Sequence, residues 1–375
     1  MRLDWKGALG LGVSGVLIWW VLRDVSVGEV AAHVSGAHWG WFAASIAVGT
    51  AGYAVRAMRW KVLLHPLHPR TSFAGRFAAV CVGFMVNNLV PARVGEFARA
   101  FALSRVEPVD APGAFGTLVV ERFLDAFALL ALLFVAVLLP SFPDAVGLLD
   151  GRAGVVVRTA VWGFGALLGG MALLIVAPGP MQRLGEAVGA RLPERWGGPL
   201  VGALRSFLSA MGVLREPRLA LSALVWTFVF WIWHTGSFWL GFRAFGVDAG
   251  FGAAMFTNAM VAFAVALPAA PGFFGTFQLG ALIALNEVYG IAETPTLAFA
   301  FGYHIGGFLP ITLLGLWYAA RLGLSMSELS RSSAAPGQGE RVAGAAGAPG
   351  PGSVPAHEAG DGSHAPDPAP GAAES

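Results

Sequence analysis

Two apolar segments, about half a chain length apart, are interrupted in the same way. In the first segment, Pro91 is followed four positions later by Gly95. In the second, Pro268 is followed at the same spacing by Gly272. Proline removes a backbone donor and glycine relaxes the backbone, so both residues end or kink a helix. In a strongly apolar chain, such breaks at corresponding positions of two halves are typical of carriers with a binding site inside the membrane.

The composition identifies the class of protein. Hydrophobic residues make up 56% of the 375 residues and charged residues only 12%, with a mean hydropathy of +0.67. A soluble domain typically carries about 25% charged residues. The chain is therefore predicted to be an all-α polytopic membrane protein. The net charge of +2 is small and the basic residues lie between apolar runs, which argues against a nucleic-acid partner.

The apolar runs predict about six full membrane spans and two interrupted regions. A span needs about 20 residues, within a range of roughly 17–25. The predicted spans are 7–22, 38–55, 118–139, 155–177, 219–242 and 296–320. The interrupted regions, 74–107 and 250–289, are predicted to form re-entrant hairpins.

Basic residues predict the orientation of these segments, because cytoplasmic loops are enriched in Lys and Arg. The segments that follow the second and fourth spans are rich in Arg and are predicted to be cytoplasmic. The loops near 23–37, 140–152 and 286–295 carry acidic residues and few basic ones, and are predicted to face outward. This pattern predicts that both termini are cytoplasmic and that the two hairpins are inserted from opposite sides. The halves would then form an inverted repeat, with the hairpin tips meeting near the middle of the bilayer.

The chain is divided into two parts by composition. Residues 1–322 carry the apolar runs and form the predicted transmembrane domain. Residues 323–375 are rich in Ala, Gly and Pro and are predicted to be a disordered cytoplasmic tail, because they lack the apolar content that offsets the entropy of ordering.

The first interrupted region contains charged residues at helical spacing. Arg93, Glu96 and Arg99 recur every three residues and would share one side of a helix beginning at Arg93. Charges within an apolar region usually face a cavity or a partner. A helix N-terminus and a guanidinium group both favour phosphate. These three residues, with Asn87 and Asn88 upstream, are therefore candidates for binding a lipid phosphate, and the alternative is a structural ion pair.

The third span begins with a second charged group. Glu121, Arg122 and Asp125 lie close together, and the two acids are one helical turn apart. Two neighbouring carboxylates could exchange protons near neutral pH. They could equally pair with Arg93 or Arg99 across a helix interface.

The second interrupted region is polar but uncharged. Gln278, which follows the break, is a candidate either for hydrogen bonding to substrate or for binding the hairpin to its neighbours. His234 and His304 in the fifth and sixth spans are candidates for a proton relay, and the alternative for each is a single structural hydrogen bond. The residues predicted to break helices in the two regions are Pro91, Gly95, Pro268, Pro271, Gly272 and Gly275. Cys81 is the only cysteine and no soluble catalytic motif is present, so neither a metal nor a cofactor is expected.

Four motifs in this order resemble one known family. They are Arg56-x-x-Arg59-Trp60, Asn87-x-x-x-Pro91-x-Arg93-x-Gly95-Glu96-x-x-Arg99, Glu121-Arg122-x-x-Asp125 and Pro268-x-x-Pro271-Gly272-x-x-Gly275-x-Phe277-Gln278. Together they are similar to the transmembrane, flippase-like domain of the lysylphosphatidylglycerol synthase family, over about residues 5–322. One departure is Ala92, where the family often has glycine, which restricts the turn.

The resemblance implies an inner-membrane protein that moves lipids between leaflets. Bifunctional members carry a separate soluble synthase domain, for which this chain has no room, so no enzymatic activity is expected. The leading hypothesis is a translocator of an anionic or phosphate-bearing lipid. The alternative is a membrane subunit that docks or regulates a lipid-modifying or glycosylating enzyme. A membrane-embedded enzyme acting on lipid headgroups is a third alternative, for which no nucleophile–base pair is evident.

Overall fold

The described part of the chain is built from helices and contains no strands. The computed structural model describes residues 27–90, 94–143, 178–266 and 271–331, with Trp19 and scattered positions between 154 and 169. The four continuous ranges lie within one unit, Met1–Gly337.

Twelve helices are numbered here in chain order within those ranges. They are α1 (Val27–Ser35), α2 (Trp39–Leu64), α3 (Phe73–Leu89), α4 (Gly95–Val106), α5 (Ala111–Leu138), α6 (Pro178–Arg191), α7 (Glu194–Ala210), α8 (Pro217–Ala244), α9 (Phe251–Ala266), α10 (Thr276–Leu282), α11 (Glu293–Arg321) and α12 (Met326–Arg331). Short 3-10 turns occupy Met211–Leu214 and Pro271–Phe273, and a π-helical turn, Ile283–Val288, continues α10.

Local sequence signals explain where several of these helices begin. The Asp110 carboxylate accepts a hydrogen bond from the Gly113 amide at 3.1 Å and starts α5. The Ser72 hydroxyl does the same for the Gly75 amide at 2.9 Å and starts α3. Such caps satisfy amide groups that have no partner inside the helix.

Four predicted spans correspond to observed helices, namely α2, α5, α8 and α11. Among the described residues, α8 and α11 are long and apolar enough to cross a membrane. Helix α2 differs from the prediction because it does not end at residue 55 but continues through the basic residues to Leu64. The predicted spans 7–22 and 155–177 lie largely outside the described residues.

Helices α3 and α4 pack against each other as the first hairpin. Its two ends meet where the Glu107 carboxylate accepts a hydrogen bond from the Ser72 amide at 2.9 Å. Near the break the helices approach so closely that a Cβ atom on Gly83 would lie 2.8 Å from the Gly95 carbonyl oxygen. The interrupted region 74–107 is therefore a helix, a break and a returning helix.

The second hairpin consists of α9, a break, and α10 with its π-helical turn. A Cβ atom on Gly280 would lie 2.8 Å from the Val261 Cα atom, so these helices also pack at backbone distance. At the other end, the rings of Phe256 and Tyr289 are 5.9 Å apart. This pairing shows that the chain reverses direction across the break.

Helix α11 packs against both hairpins. It contacts α3 closely at Gly315, where a Cβ atom would meet Met85 and the Cys81 carbonyl group. It contacts the second hairpin through the ring of His304, which stacks on Phe277 with centroids 4.5 Å apart. The same helix therefore contacts both hairpins.

The segment predicted to be a disordered tail starts with ordered structure. Helix α12 buries Leu329 completely, and Arg105 approaches Glu328 at 3.8 Å. The tail prediction from residue 332 onward falls outside the described residues.

Candidate functional site

Three helices bring six charged side chains together in what we name the charged cluster. Its members are Arg56 and Arg59 of α2, Arg99 of α4, and Glu121, Arg122 and Asp125 of α5. All except Arg122 are at most 5% exposed. The helical spacing of three or four residues puts each pair from one helix on a common face.

Glu121 is the centre of the charged cluster. Its carboxylate receives two hydrogen bonds from the Arg99 guanidinium, at 2.8 and 3.1 Å. Arg56 and Arg59 approach the same carboxylate at 3.3 and 3.1 Å. The Arg99–Glu121 bond joins α4 to α5, as the structural-pair alternative predicted.

Asp125 lies one turn further along α5 and has a different set of partners. Its Oδ1 atom contacts Arg59 Nη1 and accepts a hydrogen bond from Trp231 Nε1 at 2.9 Å. Arg56 and Arg122 each approach its Oδ2 atom at 3.4 Å. Asp125 therefore links the charged cluster to α8, which carries Trp231.

Aromatic rings cover two of the buried guanidinium groups. The Arg99 guanidinium carbon lies 4.0 Å from the centroid of the Trp60 ring, and that of Arg56 lies 3.9 Å from the centroid of the Phe230 ring. A guanidinium stacked on a ring keeps favourable electrostatics while it excludes water. This packing explains how the cluster is accommodated in an apolar interior.

The charges of the cluster do not balance. Four guanidinium groups face two carboxylates, which leaves an excess of two positive charges. Glu96 acts electrostatically on Arg122 and offsets part of this excess. The buried Nε atoms of Arg59, Arg99 and Arg122 have no hydrogen-bond partner among the described residues, whereas the Arg122 side chain as a whole is 41% exposed. Arg122 is thus the cluster cation that remains accessible to an anion.

The break of the first hairpin is held by Asn87. Its side-chain oxygen accepts a hydrogen bond from the Gly95 amide at 2.8 Å, and its nitrogen lies 3.4 Å from Glu96 Oε2. Helix α4 begins at Gly95, so the prediction that it begins at Arg93 is wrong. Asn87 supplies the acceptor for the first orphan amide and thereby sets the start of the helix.

Two predicted residues of this break are not described. Pro91 and Arg93 lie outside the described residues, and the proposed contact between Arg93 and phosphate stays a prediction. Arg99 and Glu96, which the prediction grouped with Arg93, have different surroundings. Arg99 is buried against Glu121, whereas Glu96 is only half-buried beside Asn87.

The break of the second hairpin is held by Gln278. Its side-chain oxygen accepts a hydrogen bond from the Gly275 amide at 2.9 Å, and its nitrogen lies 3.2 Å from His304 Nδ1. Gly272 and Gly275 have φ angles of 72° and 89°, which explains why glycine is needed at both positions. Pro271 starts the short 3-10 turn, and Pro268 lies outside the described residues.

The C-terminal end of α3 contacts the second break. A Cβ atom built on Gly272 would lie 3.4 Å from the Asn88 carbonyl oxygen. Next to this contact is a cavity of about 200 Å³, named here the central cavity, whose lining includes Asn88, His234, Asn258 and His304. Its wall is completed by α2, α8 and α11. Trp231, which lines the cavity, also donates a hydrogen bond to Asp125 of the charged cluster, so this side chain contacts both features.

Sequence reasoning missed the role of Arg56 and Arg59. Both belong to the Arg-rich segment after the second span, from which the sequence predicts only orientation, but they are buried in the charged cluster. Their three-residue spacing, directly after an apolar run and next to Trp60, was the available signal. Within the described ranges, no group of three or more His, Cys, Asp or Glu side chains could hold a metal ion.

This geometry defines a class of protein, namely a helical membrane protein with two interrupted hairpins and a buried charged cluster. The chain belongs to the family described as the lysylphosphatidylglycerol synthase TM region, whose sequence profile matches residues 7–315.

Two curated relatives are similar to parts of the chain. A UPF0104 membrane protein of Methanothermobacter thermautotrophicus is 23% identical over 297 residues, which are 73% of this chain and 83% of that protein. A UPF0104 membrane protein of Methanocaldococcus jannaschii is 38% identical over 73 residues, which are 19% of this chain and 22% of that protein. The second match therefore spans about a fifth of each protein.

Proposed function

We propose that this protein is a lipid translocator that moves an anionic or phosphate-bearing lipid between the leaflets of the inner membrane. The observation that carries the proposal is the excess of positive charge in the buried cluster. A cluster that served only to hold helices together would be most stable with balanced charges, because each unpaired buried charge is costly. An excess of guanidinium groups suits a site that receives an anion.

The proposed topology follows from the predicted orientation. Six spans surround two re-entrant hairpins that are inserted from opposite sides, both termini are cytoplasmic, and the halves are related as an inverted repeat. The contact between Gly272 and the Asn88 carbonyl supports the idea that the breaks meet inside the bilayer. Irregular backbone at that depth must be buried in protein or line a cavity, and these breaks border the central cavity.

Within this proposal, the arginines have different tasks. Arg99 donates two hydrogen bonds to Glu121 and thereby joins α4 to α5. Arg122, whose side chain is 41% exposed while its Nη2 atom contacts Glu121, is the described residue of the cluster best suited to meet a phosphate. Arg93 remains a second candidate. Glu121 and Asp125 act in this scheme as ion-pair partners of the arginines, and no catalytic step is assigned to any residue.

The experiment that tests the proposal measures leaflet exchange of fluorescent lipids in liposomes that contain the purified protein. We expect exchange of phosphatidylglycerol to exceed exchange of phosphatidylcholine. Arg122→Gln should reduce the exchange of phosphatidylglycerol about tenfold, because a hydrogen bond to a charged group contributes about 1.5–3 kcal/mol. Arg93→Gln tests the second candidate in the same assay.

Arg321→Gln is the matched control. Arg321 is exposed at the end of α11, where its guanidinium stacks on Trp317 outside the charged cluster. Its replacement should leave the exchange rate unchanged. Exchange no faster than in protein-free liposomes, for every lipid tested, would contradict the proposal.

A second candidate function is a membrane subunit that docks a lipid-modifying or glycosylating enzyme. Helices α6 and α7 expose Arg183, Arg191 and Arg205, of which Arg205 is paired with Glu186 at 2.8 Å, and the remaining positive charge favours an acidic partner. Replacing these three arginines with glutamine should abolish association with such an enzyme and leave lipid exchange intact. The same triple variant therefore separates the two functions.

A further inference from the structure

The central cavity has the size of a headgroup and not of a whole lipid. Its volume is about 200 Å³, whereas pockets for drug-sized ligands usually have about 300–1,000 Å³. Acyl chains must therefore remain outside it, and only the polar end of an amphiphile can enter. The chemistry of the lining then determines which kind of headgroup is accepted.

Hydrogen bonds fix the orientation of Asn88 at this cavity. The Thr312 hydroxyl donates its hydrogen to the Phe308 carbonyl group at 2.7 Å, so the Thr312 oxygen must accept from Asn88 Nδ2 at 2.8 Å. The amide nitrogen of Asn88 is thereby used. Its Oδ1 atom receives no hydrogen bond from another described residue and remains as an acceptor.

The same reasoning fixes His234. The Thr235 hydroxyl donates to the Trp231 carbonyl group at 2.9 Å and accepts from Asn258 Nδ2 at 3.0 Å. Asn258 Oδ1 therefore faces His234 Nδ1 at 2.9 Å, and an amide oxygen can only accept. Nδ1 must carry the hydrogen, which leaves Nε2 of a neutral His234 as a second acceptor.

The remaining lining is aromatic or uncharged. Among the described residues that line the central cavity, none is Asp, Glu, Lys or Arg. Rings from Phe84, Trp231, Phe277 and Phe308 form much of the wall. The headgroup inside must therefore offer hydroxyl donors to the two acceptors and C–H surface to the rings, without a charge of its own.

We infer that the central cavity binds the uncharged polyhydroxyl part, glyceryl, inositol or glycosyl, of a phosphate-linked lipid headgroup. This inference names the substrate class of the proposed carrier, so the transport measurement that tests it rests on the proposed function. The phosphate itself remains outside the charge-free cavity. Lipids that share the phosphate and differ in the polyhydroxyl group are therefore the informative probes.

The test compares phosphatidylinositol with phosphatidic acid, which carries phosphate and no polyhydroxyl group, on identical acyl chains. Two measurements are made on the full-length purified protein. Native mass spectrometry records which lipid the protein retains, and the liposome assay records leaflet exchange. We expect phosphatidylinositol to be retained preferentially and exchanged about tenfold faster.

Two variants remove one acceptor each. Asn88→Leu and His234→Phe should each lower the retention and the exchange of phosphatidylinositol toward the values measured for phosphatidic acid, and so abolish the preference. His234→Gln keeps a hydrogen-bond donor and an acceptor, so it should retain the preference. Comparison with this variant shows whether a lost preference in His234→Phe comes from the missing acceptor or from misfolding. His65→Phe, an exposed histidine away from the cavity, is the matched control.

The outcomes separate the inference from the proposed function. Equal retention and equal exchange of the two lipids, unchanged in the acceptor variants, would overturn the inference while the carrier function stands. Preferential retention that the variants abolish, without exchange of any lipid, would support the cavity assignment and overturn the carrier function.

Discussion

The two hairpins solve the same backbone problem with different chemistry around them. In each, a glycine amide at the start of the returning helix donates a hydrogen bond to a side-chain amide oxygen. Gly95 donates to Asn87 in the first hairpin, and Gly275 donates to Gln278 in the second. The first hairpin then contributes Arg99 to a buried charged cluster. The second is surrounded by neutral groups such as His304 and Asn258.

This difference separates the breaking of a helix from the placement of charge. A break frees backbone groups, and either hairpin shows that one neutral side chain is sufficient to satisfy the first of them. The charged cluster is therefore not needed to stabilise a break. Among the described residues it takes one side chain from the first hairpin, Arg99, and none from the second, which is consistent with a separate role for its charge.

The largest expected effect follows from removing a carboxylate of the charged cluster. Glu121→Gln leaves Arg56, Arg59 and Arg99 without their shared partner in a dry interior. Removing one partner of a buried ion pair typically costs about 3–5 kcal/mol in the free energy of unfolding. A marked fall in melting temperature of the detergent-solubilised protein is therefore expected.

Two further variants make this prediction a comparison between the hairpins. Asn258→Leu removes the neutral network beside the second hairpin and should cost less, about 1–3 kcal/mol. Asp248→Asn, at an exposed acid, should leave the melting temperature unchanged. If Asn258→Leu destabilised the protein as much as Glu121→Gln, buried charge would not distinguish the two hairpins.

Close helix packing predicts the next largest effect. A Cβ atom at Gly95 would overlap the Gly83 carbonyl oxygen and the Asn87 side chain, and one at Gly280 would lie 2.8 Å from Val261 Cα. We expect Gly95→Ala and Gly280→Ala to lower the free energy of unfolding by up to about 3 kcal/mol, because overpacking forces the backbone apart. Thermal unfolding in detergent measures both.

Gly236→Ala provides the control for these substitutions. A Cβ atom at Gly236 meets nothing within 4 Å, and alanine favours helix by about 1 kcal/mol over glycine. The melting temperature should therefore stay the same or rise. Unchanged stability in Gly95→Ala would mean that the first hairpin tolerates a wider separation than the structure indicates.

The two amide side chains at the breaks should have comparable effects. Asn87→Leu and Gln278→Leu each remove the acceptor of a glycine amide, and an unsatisfied buried donor costs about 1–3 kcal/mol. Melting temperatures that fall by similar amounts would support equivalent roles. A fall in Asn87→Leu alone would indicate that the second break has another source of stability.

Local features of the fold were predictable from sequence, and contacts between distant segments were not. Pro and Gly predicted both interruptions because their effect on the backbone is local. The apolar runs predicted α5, α8 and α11 for the same reason. The partner of Arg59 was not predictable, because Asp125 lies 66 residues away and the contact depends on how α2 and α5 pack.

The candidate site shows the same limit. Sequence alone identified Glu121, Asp125 and Arg99 as charges within an apolar region, and the structure brings them together. Asn87 and Gln278 are predicted candidates for binding substrate. In the structure, the side-chain oxygen of each accepts a hydrogen bond from a glycine amide. Whether a polar side chain binds the backbone or a ligand depends on local geometry, which residue type does not determine. Their substrate-binding role stays a prediction.

The smallest expected effect concerns the tether between the first hairpin and α11. The Thr312 hydroxyl accepts a hydrogen bond from Asn88 Nδ2 at 2.8 Å, while His304 performs the corresponding function for the second hairpin through Gln278. Thr312→Val removes one neutral hydrogen bond at a half-buried amide, which should cost about 1 kcal/mol. Because Asn88 would then be free to rotate, headgroup selectivity in the exchange assay should weaken more than stability does. Thr257→Val, which removes a hydroxyl that donates to the Ala253 carbonyl group of its own helix, controls for loss of a hydroxyl. Equal selectivity in the two variants would show that the orientation of Asn88 does not depend on α11.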